Sequence, residues 1–410
     1  MSDSYATSLL RDDILPVIQD AADNSSPLMS VLEKSSLGVE GDGKGNYIIS
    51  KNELEAEQGV GARARGEQLE DAHDGAMLDL KWLCKYLYAT FDIYGQDEIL
   101  SSTTPDKAVM SILTKKSKSL LKTVLRDRER QVWGNGAGTL CTIVRDNTTG
   151  MVLIVDDISG IEVNMYVDIH MGTVLESYKV VLIEPVMGQY GYSVTFSKTS
   201  ITDIVATTGI VITRHGALNN EMEGIRKICF PDSWSSGVVW GSYGTQDRGA
   251  NPALRPVFIH NGGTLRNLTL DLIDELAFSM DAADCSAKVW FFMRQDILRG
   301  IKRLRQAYGL QTPYLDLTLG YKAPRYECPK GEFPMLTAPK SQKNAIVGLD
   351  LGDFSIRRPL PPTWLKGTEG PILRLVENYD KFRATLRSYE NIANFWPAHS
   401  GALADVQPPV

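Results

Sequence analysis

A chain containing the segment Asp106–Trp133 must supply a long apolar seam on which to lay it. Thr104 stands where a helix cap belongs, Pro105 occupies the first helical position and Asp106 the first turn, and Gly134 follows the end. On a helical wheel Val109, Ile112, Leu113, Leu120 and Val124 form one stripe, and Lys115, Lys118, Lys122 and Arg126 fall on the opposite side. The segment holds eight basic residues against three acidic ones, in a chain whose net charge is −7. The pattern predicts one helix with a packing face and a basic face. That basic face is either simply solvated or a surface for a polyanion or an acidic subunit neighbour.

The stretch before the helix is as informative. Tyr47–Ile49 reads as a short apolar strand, and Lys81–Leu100 as a longer one in which Tyr86, Tyr88, Thr90, Asp92 and Tyr94 alternate with Leu87, Ala89, Phe91 and Ile93. Between them Glu55–Ala76 carries four glycines among Arg63, Arg65, Glu67, Glu70, Asp71 and Asp74 and has too few apolar residues for a core. A connection that long inside a compact domain is functional or disordered. The flanks predict a long hairpin with the charged loop at its tip.

The remainder reads as follows. Residues 1–45 form a weakly ordered arm, either a frayed terminus or a segment that docks on a partner. It has one short amphipathic piece, Leu9–Ile18, interrupted by Pro16, and a flexible break at Gly38–Gly45. Gly150–Arg214 changes to short strands, Val152–Val155, Met165–Ile169, Tyr178–Ile183, Tyr192–Phe196 and Ile210–Thr213, spaced as in a small barrel or sandwich inserted into the chain. Helices and strands then alternate: a helix capped by Thr269 with Leu272, Ile273, Leu276, Ala277 and Met280 on one face, a strand at Ala287–Phe292, a helix over Arg294–Tyr308 and a strand at Ala345–Asp350. Pro359, Pro361 and Pro362 mark a loop, Pro371–Phe395 alternates with period two, and Ala402–Val410 is a loose tail.

No chemistry stands out. Gly134, Gly136 and Gly138 follow a helix instead of opening one, so they predict a tight turn with positive φ and no phosphate loop. The five histidines occupy no metal-binding spacing beyond Asp168 and His170, two apart on one strand. No G-x-S-x-G elbow occurs. The five cysteines are widely spaced, which predicts buried thiols and no disulfide or zinc framework. Trp234, Trp240 and Tyr243 form either a sugar or base platform or packing against a subunit neighbour or a lobe. No catalytic residue, cofactor or metal ligand is predicted. The acidic balance excludes a wholly basic nucleic-acid binder, and no run of about 18 apolar residues offers a membrane span. The acidic N-terminus lacks the basic lead of a secretion signal, so the expected site of synthesis and residence is a cytoplasm.

The order of elements resembles the major capsid proteins of tailed bacteriophages, the Hong Kong 97 fold, from about Gly45 to Ala402. The turn WGNGAGT after the helix, the phrase NNEMEGIRKI (Asn219–Ile228) and the phrase LRSYENIANFWPAHSGAL (Leu386–Leu403) carry the resemblance. It implies an α+β chain divided as an arm (1–45), an extended loop hairpin (46–100), a peripheral domain with a spine helix (101–149) and a barrel-like insertion (150–215). An axial domain with part of the peripheral domain follows (216–370), then the peripheral return and tail (371–410). It implies a structural protein, not an enzyme, that self-assembles as hexamers and pentamers into an icosahedral shell around double-stranded DNA, in the virion, after assembly in a host cytoplasm. The implied partners are further copies of itself, a portal protein, a separate scaffolding protein (since the arm is too short for a fused one), a decoration or cement protein, and packaged DNA through non-specific contact. Arg63, Arg65, Glu67, Tyr86, Tyr88 and Phe91 are then the expected subunit-interface residues, and Lys115, Lys118, Lys122 and Arg126 the basic face of the spine. Nothing singles out a cross-linking pair among Lys51, Lys81 and Lys85 or Asn391 and Asn394. The competing readings are an encapsulin-like cellular compartment and a β-rich carbohydrate-active enzyme using the Trp234/Trp240 region.

Overall fold

The computed structural model describes residues 9–24, 26–35, 39–41, 46–53, 62, 64–65, 67, 77–96, 107–146, 152–171, 173–185, 191–197, 210–286, 288–309, 314–316, 322–328, 331–365 and 372–408. The long helix forms over Lys107–Val132. Its proposed cap, Thr104 to Asp106, lies outside the described residues, as does the Val109 side chain. Its seam lies on a sheet built around the strand Lys381–Asn394, which pairs antiparallel with Lys85–Tyr94 on one side and with Phe354–Trp364 on the other. Period-two alternation delivers Ala384 and Leu386 to the helix side, where they share a core with Ile93, Leu113, Val124 and Trp364. Leu120 packs at the margin of that core.

Three expectations fail here, each through a contact distant in sequence. Pro359, Pro361 and Pro362 belong to the strand Phe354–Trp364 and not to a loop. The register slips between Arg357 and Leu360 and again between Leu360 and Thr363, and the parallel edge strand Glu33–Ser35 pairs only with Ser355–Arg357. The prolines therefore sit at irregularities where a missing N–H costs no ladder bond. The tail is not loose: Ala402, Leu403, Ala404 and Val406 are buried, and Gly401–Leu403 is an inner strand of the axial sheet. The arm docks on its own chain. Pro16 occupies the first turn of the helix Leu15–Asp23, and Leu10, Ile18 and Ala22 are buried, with Leu10 and Ile18 in the long helix's core. Ser26 caps the helix Pro27–Val31 by accepting from the Met29 N–H at 3.3 Å, and Leu28 and Met29 enter the core around Trp133. Val39–Gly41, inside the expected flexible break, pairs with the first hairpin strand.

After the helix the chain turns through Gly136 and Gly138, both at positive φ (82° and 80°) as expected, whereas Gly134 is not at positive φ. Six strands then follow. Thr139–Asp146 pairs with Val152–Val155 and Val211–Arg214; Tyr166–Met171 pairs with Val211–Arg214 and Thr173–Pro185; Tyr192–Phe196 pairs with Thr173–Pro185 and Val152–Val155. Each strand has two neighbours, and their inward residues, Leu153, Val155, Val167, Ile169, Val180, Val194 and Ile212 among them, form a separate core. The unit takes in Thr139–Asp146, upstream of the expected start at residue 150, because that strand supplies the partner for both ends.

The axial part is a seven-stranded sheet in the spatial order Val257–Ile259, Gly401–Leu403, Ile346–Asp350, Val289–Met293, Gly331–Thr337, Lys322–Cys328, Tyr314–Asp316. The helices Leu270–Ala282 and Gln295–Ala307 cover it through Ile273, Leu276, Met280, Ile297 and Ile301. Thr269 occupies the cap position of the first, but its side chain makes no capping bond.

The end of the long helix is pinned where Gly224 passes over it. A Cβ on Gly224 would run into the carbonyl oxygens of Gln131 and Val132. Both obstacles are backbone, so neither can rotate aside. Gly224→Ala is expected to cost about 1–3 kcal/mol, the range for overpacking, with denaturant unfolding as the measure. An unchanged midpoint would show that the helix end can retreat.

Candidate assembly interface

The hairpin forms from Asn46–Glu53 and Met77–Leu83, paired from Tyr47↔Leu83 to Glu53↔Met77. Its base is anchored. Leu80 and Trp82 are fully buried, and the Trp82 ring meets Tyr243 edge-on at 5.6 Å and Phe395 at 6.3 Å. The Lys81 N–H donates to the Gly244 carbonyl at 2.9 Å, and the Gln246 amide donates to the Asp79 carbonyl at 3.0 Å. Toward the tip the chain is solvated: Met77 is 76% exposed, and Arg65 and Glu67 are exposed. Glu67 folds back on its own turn, accepting from the Ala64 N–H at 2.9 Å. Arg63 lies outside the described residues.

Lys81–Leu100 is not one return strand. It divides at Cys84: Met77–Leu83 stays with the hairpin, and Lys85–Tyr94 moves to the central sheet. Asn391 marks the exchange, its side-chain amide donating to the Leu83 carbonyl at 2.9 Å. Tyr86, Tyr88 and Phe91 therefore sit on the body, not on the hairpin. Phe91 is half-buried, edge-on to Trp364 at 6.0 Å. Tyr86 and Tyr88 face outward, 44% and 54% exposed, and flank Tyr389 at 4.9 and 6.1 Å between centroids. The Tyr88 and Tyr389 hydroxyls lie 3.3 Å apart, and the Arg387 guanidinium lies 5.7 Å from the Tyr389 ring. Farther along this face Asp92 accepts from Arg383 at 2.7 Å and Lys381 at 2.9 Å. The hydrogen bond from Arg383, then that from Lys381, outweighs burial and lowers the Asp92 pKa to about 2.

The opposite side of the layer is the long helix. Lys115, Lys118 and Lys122 are exposed on it, as the wheel predicts. Arg126 is exposed but taken, donating to Glu162 of the inserted unit at 2.9 Å. Lys116 bends back to the sheet, donating to the Asp92 carbonyl at 2.6 Å. The basic residues of the last turns do not belong to the basic face. Arg128 is buried and grips Glu390 with two bonds, at 2.5 and 2.8 Å. Arg358 donates to the same carboxylate at 3.1 Å and to Asp23 of the arm helix at 2.7 Å. Arg130, also buried, donates to Glu221 at 2.8 Å and to Asp127 at 2.9 Å. Burial opposes its charge, and Glu221 and Asp127 more than restore it, so its pKa is raised. Sequence reasoning missed this network. One signal was available: Glu390 falls in the same alternation phase as Ala384 and Leu386, which places a carboxylate on the buried face.

The remaining candidates resolve as structure. Trp234 packs on Phe230 and Phe258 and donates to Asp405 at 3.1 Å; Trp240 packs on Phe258. Asp168 accepts from Ser177 at 2.6 Å and from the Gly216 N–H at 2.8 Å, and lies 2.8 Å from the His215 ring nitrogen, while His170 pairs with Thr213 at 2.8 Å. Asp350, Asp353 and His399 gather closely enough to hold a cation. Yet Asp350 already accepts from the Ser286 hydroxyl at 2.7 Å and the Gly352 N–H at 3.0 Å, and Asp353 pairs with His399 at 2.7 Å. No disulfide joins the five cysteines; burial pushes the thiols of Cys84 and Cys328 up to about 11 and about 12.

No protein-family model and no curated protein sequence matches the chain. Among solved structures, the capsid asymmetric unit of cyanophage A-1(L) matches with a TM-score of 0.53 at 12% identity, covering 93% of this chain and 92% of that one. The capsid of a native GTA particle matches at 0.46 and 8% identity, covering 95% and 91%. The SrpI encapsulin complex of Synechococcus elongatus PCC 7942 matches at 0.43 and 10% identity, covering 94% and 90%. The backbone of this chain thus matches that of a phage capsid protein nearly end to end, and the chain has the Hong Kong 97 fold.

Proposed function

We propose that this chain is the major capsid protein of a tailed phage, assembling as hexamers and pentamers into a closed shell around double-stranded DNA. The observation that carries the reading is the near-complete correspondence with a capsid subunit, at 93% of this chain, together with a hairpin whose described strands are anchored through Leu80 and Trp82. In this reading the hairpin reaches over a neighbouring copy. Arg65 and Glu67, with Arg63, meet charged partners across the seam, and Tyr86 and Tyr88 receive a neighbour on the sheet face. The two tyrosines, with Tyr389 and Arg387 beside them, have the composition that recurs at the centres of protein interfaces. Phe91, half-buried beside Trp364, is less accessible than the two tyrosines.

The six-stranded unit acts as a small barrel-like domain inserted between spine helix and axial domain. Its loop is tied to the body by Arg294 on Asp157 at 2.6 Å and Arg126 on Glu162. A portal protein, a separate scaffolding protein and a decoration protein are the further partners this role requires or allows. The work of the chain is structural, not catalytic. Electron microscopy of the protein co-expressed with its scaffolding partner is expected to show uniform closed particles. A compact monomer under the same conditions overturns the proposal. Particles that enclose one protein cargo in place of DNA convert it to a cellular compartment.

A further inference from the structure

We infer that Asn261–Gly262 is a self-modification site, at which His260 acts as the base for ring closure of the Asn261 side chain on the Gly262 backbone nitrogen. The product is aspartate or isoaspartate at position 261. The inference stands on one loop of the axial domain and does not depend on the capsid reading.

The chain has two Asn-Gly pairs, Asn135–Gly136 and Asn261–Gly262. Glycine after asparagine leaves the backbone nitrogen unshielded by a Cβ, so the side-chain carbonyl carbon can approach it. At the second pair the Thr264 N–H closes a turn on the Asn261 carbonyl at 3.1 Å, with Gly262 and Gly263 both at positive φ (62° and 82°). Three successive N–H groups of this turn have two different partners. Those of Asn261 and Gly263 donate to one oxygen of Asp405, each at 2.9 Å. The one between them, on Gly262, donates to His260 Nδ1 at 3.1 Å. Both partners are held in place. Asp405 is 7% exposed and accepts from the Trp234 indole at 3.1 Å, and the imidazole stacks on Phe258 at 5.3 Å between centroids and 18° between planes. With Nδ1 accepting, the ring proton sits on Nε2, and the free lone pair faces the proton that ring closure must remove.

In the step, the Gly262 nitrogen attacks Asn261 Cγ as its proton passes to His260 Nδ1. The Cγ–Nδ2 bond then breaks with its electron pair on nitrogen. That nitrogen takes a proton from the imidazolium, directly or through water, and leaves as ammonia. Water opens the resulting cyclic imide at either carbonyl, giving aspartate or a backbone rerouted through the side chain as isoaspartate. Asn261 and Gly262 are exposed, so water reaches the ring. Nδ2 donates to the Thr264 carbonyl at 2.8 Å, and the product carboxylate has no proton to offer there, so conversion releases that side of the turn. The other pair has none of this. Asn135 is half-buried, Gly136 is buried, and the Asn135 side-chain oxygen takes the Ala137 N–H at 3.1 Å.

The test incubates folded wild-type and His260→Gln subunits in warm neutral buffer and follows both pairs by peptide mapping with mass spectrometry. Isoaspartate is the marker, since it forms only through the cyclic imide. Glutamine can still accept the Gly262 N–H but is not a base. Positioned bases contribute about 10²–10⁴-fold in enzyme sites, so the variant should slow conversion of Asn261 by at least about tenfold and leave Asn135 unchanged. In denaturant the two proteins should convert Asn261 at the same rate. Equal rates in the folded proteins overturn the inference, as does folded wild type in which Asn261 converts no faster than Asn135. Faster conversion in the variant shows that His260 only fastens the turn, and overturns it too. None of these readouts needs a shell, so they stand or fall apart from the capsid reading.

Discussion

Deletion of Val60–Asp74 is expected to leave a folded subunit that forms no closed particles. The removed residues include Arg63, Arg65 and Glu67 but none of the hairpin ladder, which runs from Tyr47↔Leu83 to Glu53↔Met77. Leu80 and Trp82, the buried anchors, lie on the retained side. The shortened connection still joins two strand ends that are direct partners, and shortening a flexible loop changes its closure entropy by only about 0.6 kcal/mol per halving. Subunit stability should therefore move little. Assembly should suffer far more, because the same contact is lost in every copy of the shell. An exposed ion pair contributes only about 0–1 kcal/mol, so Arg65→Ala or Glu67→Ala alone should be mild. Loss of the whole reach removes apolar burial as well, and each 1.4 kcal/mol lost is about tenfold in an association constant. The check is a thermal melt of the subunit beside a particle count by microscopy. Normal particles from the deletion would sink the clasp, and a collapsed melt would show that the tip belongs to the subunit's own fold.

What could be read in advance was local. The long helix announces itself by period: it is described from Lys107 and ends at Val132, within one residue of the expected Trp133. Val152–Val155 and Tyr192–Phe196 match residue for residue, because β-branched runs between turns leave little choice. The failures lie where a partner distant in sequence decides. Residues 9–32 have no periodic stretch long enough to fold alone, yet Leu10, Ile18, Leu28 and Met29 are buried, in cores already shaped by the long helix and Trp133. The tail lacks any pattern but fills a central position in the axial sheet. Continuous alternation from Lys81 to Tyr94 hides the change of partner at Cys84, since both halves keep period two while their neighbours differ. Of the expected interface, Tyr86, Tyr88, Arg65 and Glu67 are exposed and so available to a neighbour, and Phe91 is half-buried. On the spine, charge counting overstated the basic face because buried arginines and exposed lysines look alike in a net charge.

The buried arginines lead to the largest expected loss of subunit stability, from Glu390→Gln. Glu390 and Arg128 are almost completely buried and Arg358 is 8% exposed, so this carboxylate stands between two guanidiniums well away from water. It joins four separated pieces of chain: the spine through Arg128, the strand Phe354–Trp364 through Arg358, its own strand, and the arm through the Arg358 bond to Asp23 and the Arg128 bond to the Ala22 carbonyl. Glutamine keeps the shape but leaves two buried cations facing a neutral amide. Breaking a buried ion pair from one side costs about 3–5 kcal/mol, and denaturant unfolding of the unassembled subunit should show a loss of that size. Replacing the trio together, Glu390→Leu with Arg128→Met and Arg358→Met, should cost less than the single change, because no charge is left uncompensated. Burial alone would raise the Glu390 pKa, but Arg128 and then Arg358 hold it below the usual glutamate value. A depressed pKa contributes stability that is complete above the unfolded value of about 4.3 and is lost as pH falls from there through the folded value. The gap between wild type and Glu390→Gln should therefore be constant at neutral pH and narrow below about pH 4.3. A gap under about 1 kcal/mol at neutral pH, within the range of an exposed ion pair, would mean that water reaches the site and that the arm is not fastened through it.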